Sequence, residues 1–249
     1  MTFCALSSAK GMDIKMKIIK YNNYSDIDIE FENGYVSKNN TYQNFKKGQV
    51  RNYLIEYVFG VACLGQGKYI SEKNDIVTPE YECWINMLRR CYSDKYKKQF
   101  PTYKTCIACD EWLNFQNFAE WYNQNFYTVK NENMHLDKDI LVKGNKIYSP
   151  ETCIFVPSRI NKLFIKGDNF RGKYPIGVTY KSDINKFIAR CNTLDKRKNL
   201  GVFSTEEEAF NKYKTFKEKY IKQVADEYKD YIPDKLYKAL YKYEVSIAD

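Results

Sequence analysis

The sequence predicts an α+β protein in three parts: a small N-terminal antiparallel β module, a central strand–loop–strand–helix segment with flanking helices, and a C-terminal three-stranded antiparallel sheet plus helix. Three observations lead there. Residues 26–36 alternate apolar and acidic side chains up to an Asn33-Gly34 pair, the pattern of a half-buried hairpin. Residues 80–92 and 111–126 space large apolar side chains three and four apart, as helices do. Residues 174–203 hold three short strand-like runs that lead into Ser204-Thr205-Glu206-Glu207-Glu208, a capping-box pattern at a helix start.

In chain order, residues 1–11 lack periodicity and read as a disordered or extended start. Residues 12–63 read as a small barrel-like β module. Ile27, Ile29 and Phe31 share one face, Asp26, Asp28 and Glu30 the other, and Tyr42, Phe45 and the apolar run 57–62 complete it. Such a module packs or spaces on the plainer reading and adds a nucleic-acid contact through Lys46, Lys47 and Arg51 on the sharper one. Residues 64–79, polar and carrying Gly65 and Gly67, read as a linker. The helix that follows places Trp84, Met87, Leu88 and Cys91 at core spacing and turns Arg89 and Arg90 outward. The stripe Trp112, Phe115, Phe118 and Trp121 or Tyr122 is core by the same reasoning.

The stretch least explained by packing is 135–161, HLDKDILVKGNKIYSPETCIFVPSRIN. An acidic pair in an apolar frame (Leu136 to Ile140) reads as a strand. Gly144, Asn145, Ser149 and Pro150 break it, Cys153 to Val156 reads as a second strand, and Ile160, Leu163 and Phe164 give one or two helical turns. That outline resembles the ββα-metal finger of HNH endonuclease-like proteins of phages and other mobile elements, in a form with a basic residue where the histidine belongs. The resemblance covers residues 80–165, including Trp84 to Tyr92 and Cys109 to Trp121. It implies a divalent metal, Mg²⁺ or another, on Asp137, with Asp139, Asn145, Glu151 or Asn161 assisting. Lys138 stands at the general-base position, and a lysine near its usual pKa of ~10.4 is a protonated donor. His135, the single histidine of the chain, lies two residues before Asp137 and shares its strand face, so it or a metal-bound water is the alternative source of the attacking oxygen.

Eight cysteines are scattered irregularly, without a signal-peptide pattern, and no apolar run approaches the ~20 residues of a membrane span. The expectation is a reduced, cytoplasmic protein that does not engage membranes. Cys106 and Cys109 form a CxxC; zinc there requires two more ligands, for which Cys91 and Cys153 are the candidates, and buried free thiols are the alternative.

Residues 166–173 read as a glycine-bearing basic joint, and 229–249 as a C-terminal helix that docks back. Between them, 174–228 is similar to the APETALA2-type DNA-binding domain. The likeness rests on Ile176-Gly177-Val178, Lys186-Phe187-Ile188-Ala189, Leu200-Gly201-Val202-Phe203, Thr205 to Ala209 and Tyr213. It implies a sheet in the major groove of double-stranded DNA with the helix behind. Alternation turns Phe187, Ala189 and Cys191 to the helix and Lys186, Ile188, Arg190 and Asn192 outward. Positions matching the family's DNA-facing residues are Thr179, Lys181, Arg190, Asn192, Arg197 and Asn199; several depart from its arginines and tryptophan, so the target sequence does not carry over. Forty basic residues against 31 acidic, net +9, suit a polyanionic partner. The expected function is a phage or mobile-element DNA-binding protein derived from an HNH homing-type endonuclease, its finger degenerate. The alternatives are an active metal-dependent endonuclease and a regulator or counter-defence protein acting through protein contacts.

Overall fold

A computed structural model describes residues 4–7, 14–55, 58–165 and 173–247. The fold is mixed α+β, and the chain divides into two compact units, 1–124 and 125–249. The first unit opens on an antiparallel meander of β1 (Cys4–Ser7), β2 (Ile14–Asn23), β3 (Asp26–Phe31) and β4 (Val36–Asn40). Residues 4–7 form an edge strand held by backbone pairing with β2; the rest of 1–11 lies outside the described residues. In β3 the alternation works as read: Ile27, Ile29 and Phe31 are buried with Met16, Tyr35, Phe45 and Val50, and the acids between them face outward. Lys17, opposite Glu30 on the solvent side, pairs with it at 2.6 Å. The Asn33-Gly34 turn is closed by Gly34 N donating to Phe31 O at 2.9 Å. Thr41 caps α1 (Tyr42–Lys46), which lays Phe45 on the sheet.

The run expected to add a strand over 57–62 makes a tight turn, with Phe59 and Gly60 both at positive φ and a lone bridge from Val58 to Ala62; Tyr57 lies outside the described residues. Apolar composition alone cannot distinguish a strand from a buried turn. Cys63 then pairs in parallel with Asn114, and the stretch read as a linker is tied down. It carries the hairpin β5 (Glu72–Lys73) and β6 (Ile76–Val77). Gln116 Nε2 donates to the carbonyls of Leu64 (3.1 Å) and Tyr69 (2.9 Å), and its Oε1 accepts from Tyr69 N at 3.0 Å. Gln116→Ala is therefore expected to lower stability by about 1–3 kcal/mol through unpaired backbone groups and to speed hydrogen exchange at the Tyr69 amide. An unchanged exchange rate would show that other contacts hold the segment.

After α1 come the helices α2 (Pro79–Tyr92), α3 (Asp94–Gln99) and α4 (Phe115–Asn125), with the short strand β7 (Ile107–Ala108) before α4. Trp84, Met87, Leu88 and Cys91 are buried as spaced, and Trp84 Nε1 donates to Trp112 O at 2.7 Å. The aromatic stripe is core throughout: Trp112, Phe115, Phe118, Trp121 and Tyr122 are all buried.

In the second unit β8 (Met134–Asp137) pairs antiparallel with β10 (Ile154–Pro157), separated by a loop that holds β9 (Ile147–Tyr148). A turn of helix, α5 (Ser158–Asn161), and a 3₁₀ turn to Phe164 follow. Residues 166–172, most of the expected basic joint, lie outside the described residues. The sheet β11 (Val178–Lys181), β12 (Lys186–Asn192), β13 (Arg197–Phe203) is antiparallel in chain order. Helix α6 (Glu206–Tyr228) starts on a complete capping box, Thr205 Oγ1 accepting from Glu208 N and Glu208 Oε2 from Thr205 N, both at 3.2 Å.

α6 serves two cores. Its first half packs Ala209, Phe210 and Tyr213 against Val178, Ala189 and Cys191 of the sheet. Its second half packs Ile221, Val224, Ala225 and Tyr228 with Ile154, Val156, Ile160 and Leu163 of the strand–loop–strand–helix segment. Helix α7 (Asp234–Lys242) docks on that second cluster through Leu236 and Leu240, and the Tyr237 and Tyr241 hydroxyls donate to Asp226 of α6. Among the described residues no helix is long and apolar enough to cross a membrane.

Candidate nucleic-acid interface

Strand registers decide which side chains share the outer face of the C-terminal sheet. Thr179 lies opposite Ile188, Lys181 opposite Lys186, Ile188 opposite Val202, Arg190 opposite Asn199 and Asn192 opposite Arg197. Phe187 and Phe203, Ala189 and Gly201, and Cys191 and Lys198 form the alternate pairs, on the side that faces α6. The outer face thus gathers Thr179, Lys181, Lys186, Arg190, Asn192, Arg197 and Asn199, every sequence-predicted DNA-facing residue. Thr179, Lys181, Asn192, Arg197 and Asn199 are exposed, and Lys186 and Arg190 are half-buried.

Strict alternation along β13 would not have done this. The register between β12 and β13 shifts by one at Ala189/Arg190, leaving Leu200 as an extra residue beside Gly201. Gly201 sits at φ +133°, a conformation open to glycine and strained for residues with a Cβ. The bulge turns Leu200 toward the core cluster and moves Asn199 and Arg197 to the face of Arg190. Lys198 falls on the opposite side, its Nζ 5.4 Å from the Phe216 ring centre.

Two apolar residues interrupt this polar face. Val202 is 51 % exposed, whereas Ile188 beside it is buried at 6 % although it points outward as expected. Together they form an apolar spot amid the cations; the signal for Val202 in the sequence is the alternation itself, since it lies one residue from the inward Phe203. The charges are only lightly compensated. Lys181 Nζ meets Asp183, in the β11–β12 turn, at 3.1 Å with both groups exposed, and Lys186 Nζ donates to Ser204 Oγ at 2.9 Å.

In the central segment, β8 ends at Asp137 instead of running on to Ile140. The cause is the aspartate itself: Asp137 Oδ1 accepts from Asp139 N (2.9 Å) and Ile140 N (2.8 Å), an Asx-type turn that breaks the strand. Lys138 is buried at 6 %, and its ammonium donates to Asp139 Oδ2 (3.2 Å) and Asn145 O (3.0 Å). Asn145 Nδ2 returns a bond to Lys138 O at 2.7 Å and bonds Ile147 O at 2.6 Å. Asp137, Lys138, Asp139 and Asn145 are thus brought together by bonds that close the loop. Glu151 is exposed in a turn, its carboxyl held below the usual range by the Ser149 side chain, and Asn161 is the last residue of α5. His135 is half-buried opposite Val156, on the Asp137 face of β8.

Burial first, and the Asp139 charge second, push the Asp137 carboxyl up to about 6. An unfolded aspartate titrates near ~3.9, so between roughly pH 4 and 6 the folded chain binds the extra proton and stability falls as pH rises through that window. Asp137→Asn keeps an acceptor oxygen for the turn and removes the titration. Urea unfolding of both proteins from roughly pH 4 to 6.5 is expected to show wild type losing on the order of 1–2 kcal/mol relative to the variant. Parallel stability curves would mean that Asp137 does not hold its proton in the fold.

The implied metals fare differently from the sheet. Among the described residues no three His, Cys, Asp or Glu side chains are grouped so as to hold an ion. Cys91, Cys106 and Cys153 are buried, Cys109 is half-buried, and Cys106 Sγ donates to Thr102 O at 3.8 Å. Burial raises the Cys153 thiol far above its ordinary range. A divalent ion at Asp137 would find one oxygen already accepting two backbone bonds and an ammonium one residue away. The donor set therefore fits neither group. No protein-family model, no curated protein and no solved structure matches this chain.

Proposed function

We propose that this chain binds double-stranded DNA through the outer face of the C-terminal sheet, with the central finger as a non-cleaving support. The observation that carries the reading is the grouping of four cations and two carboxamides on one strand face whose other side is sealed by α6. A major groove about 12 Å wide admits a two-stranded ribbon; arginine matches guanine, asparagine matches adenine, and an apolar group meets the thymine methyl. The Val202 spot beside Arg190 and Asn199 supplies all three chemistries within one sheet. The likeness to APETALA2-type domains and to phage HNH proteins supports the same assignment, and the net charge of +9 favours encounter with a polyanion.

The finger is read as non-cleaving because the residue at the base position, Lys138, is a buried ammonium bonded into its own loop. Incubating supercoiled plasmid with the protein and Mg²⁺ or Mn²⁺ tests both halves. Retardation without nicking is the expected result. Metal-dependent nicking that disappears in Asp137→Ala would replace this reading with an active endonuclease that uses the shared strand face of His135 and Asp137, and no retardation at low salt would remove DNA binding altogether.

A further inference from the structure

A second polar cleft, unrelated to the duplex-binding face, lies on the N-terminal module. It has a volume of about 510 Å³ and opens between β4, α1 and the residues Gln49, Arg51, Tyr53 and Gln66. Two exposed cations line it, Lys38 and Arg51, and among the described residues no carboxylate stands in its wall. Among the described residues neither cation takes part in an ion pair. In a chain with 31 acidic residues, two cations lining one concave surface call for an anionic occupant.

The remaining wall says what kind of anion. Asn40, Asn44, Gln49 and Gln66 contribute carboxamides, each with a donor pair and an acceptor. Asn40 Nδ2 donates to Ser37 Oγ at 3.0 Å, which orients the amide. Gln49 N donates to Asn44 O at 2.8 Å, so these two positions are held as neighbours. Tyr53, half-buried and in edge contact with Tyr35 at 6.3 Å, adds an aromatic wall. Cations match a phosphate, carboxamides match the donor–acceptor edge of a base, and an aromatic ring accepts a base face. The volume is that of a small-molecule site. A bare inorganic anion would leave the carboxamides unused, and a cation would meet Lys38 and Arg51.

We infer that this cleft binds a nucleoside phosphate, either free or as one unit of single-stranded DNA. The inference does not depend on the duplex reading, and the test keeps the two apart. Titration calorimetry is run on the full chain, both as wild type and with Lys181, Lys186, Arg190 and Arg197 changed to Gln. The probes are the four nucleoside monophosphates, adenosine, inorganic phosphate and a short single-stranded DNA. At least one monophosphate is expected to bind at least about tenfold more tightly than adenosine or phosphate alone, equally in both backgrounds. Lys38→Gln with Arg51→Gln should weaken it by about tenfold or more without moving the thermal midpoint, since both residues are exposed. Tighter binding of the oligonucleotide through the same two residues identifies the strand as source; weaker binding identifies the free nucleotide. The inference is overturned by an absence of binding for every nucleotide and the oligonucleotide at millimolar concentration, by affinity unchanged in the double variant, or by phosphate binding as tightly as any monophosphate.

Discussion

Changing Lys181, Lys186, Arg190 and Arg197 together to Gln is expected to lower affinity for a DNA duplex by about a thousandfold at ~0.1 M salt. Each cation contributes roughly 1 kcal/mol at such a surface, and four give close to three decades. The slope of log affinity against log salt should shrink by about three to four, near one for each phosphate no longer neutralised. Fold damage is not the expected cause: the four side chains stand on the outer face, and the core lies on the α6 side. A thermal midpoint within a few degrees of wild type serves as the control. Equal affinity for wild type and variant across the salt series would remove the outer face from DNA binding. Arg190→Ala alone, at the centre of the face, should flatten the slope by about one.

Gly177→Ala is expected to have the largest effect on stability of any single methyl added to the chain. Gly177 has φ +80°, and a Cβ there would lie 2.1 Å from Cδ2 of Tyr213. Tyr213 cannot retreat, because its ring is buried at 5 % exposure among Val178, Ala189 and Phe210. Backbone strain of about 1–2 kcal/mol and overpacking of about 1–3 kcal/mol give a combined loss near 3–4 kcal/mol. For a unit of this size that is roughly a 10–15 °C drop in thermal midpoint. Val202→Ala, at an exposed position one residue from Phe203, should leave the midpoint almost unchanged while altering preference for thymine-containing sites. A Gly177→Ala protein as stable as wild type would mean that α6 does not pack as closely on the sheet as this geometry requires.

Much of the architecture was legible because local patterns reported on local physics. The acids of β3 alternate with residues that must be buried, so its two faces follow from the order of residues. Thr205 and Glu208 satisfy each other's backbone donors within one turn, so the start of α6 is equally plain. The spacing of Trp84, Met87, Leu88 and Cys91 marks a core face for the same reason. The turn at 58–62 is not legible because an apolar run is compatible with a strand, and only the positive φ values of Phe59 and Gly60 distinguish them. Nor are the bonds that tie 64–79 to Gln116, a residue some fifty positions on, for which no local pattern exists.

The candidate sites divide along the same line. Sequence order alone determined which cations the C-terminal strands carry, that Phe187, Ala189 and Cys191 face the helix, and that a lysine follows Asp137, since period-two alternation and residue identity need no distant partner. Tertiary structure decided the rest. The bulge at Gly201 put Asn199 and Arg197 beside Arg190, and one long helix came to back both the sheet and the strand–loop–strand–helix segment. Asp137 became the acceptor of its own turn, with Lys138 buried beside it. Each of these outcomes depends on register, on packing between residues far apart in sequence, or on which donor reaches a carboxylate first, and those quantities exist only once the chain has folded.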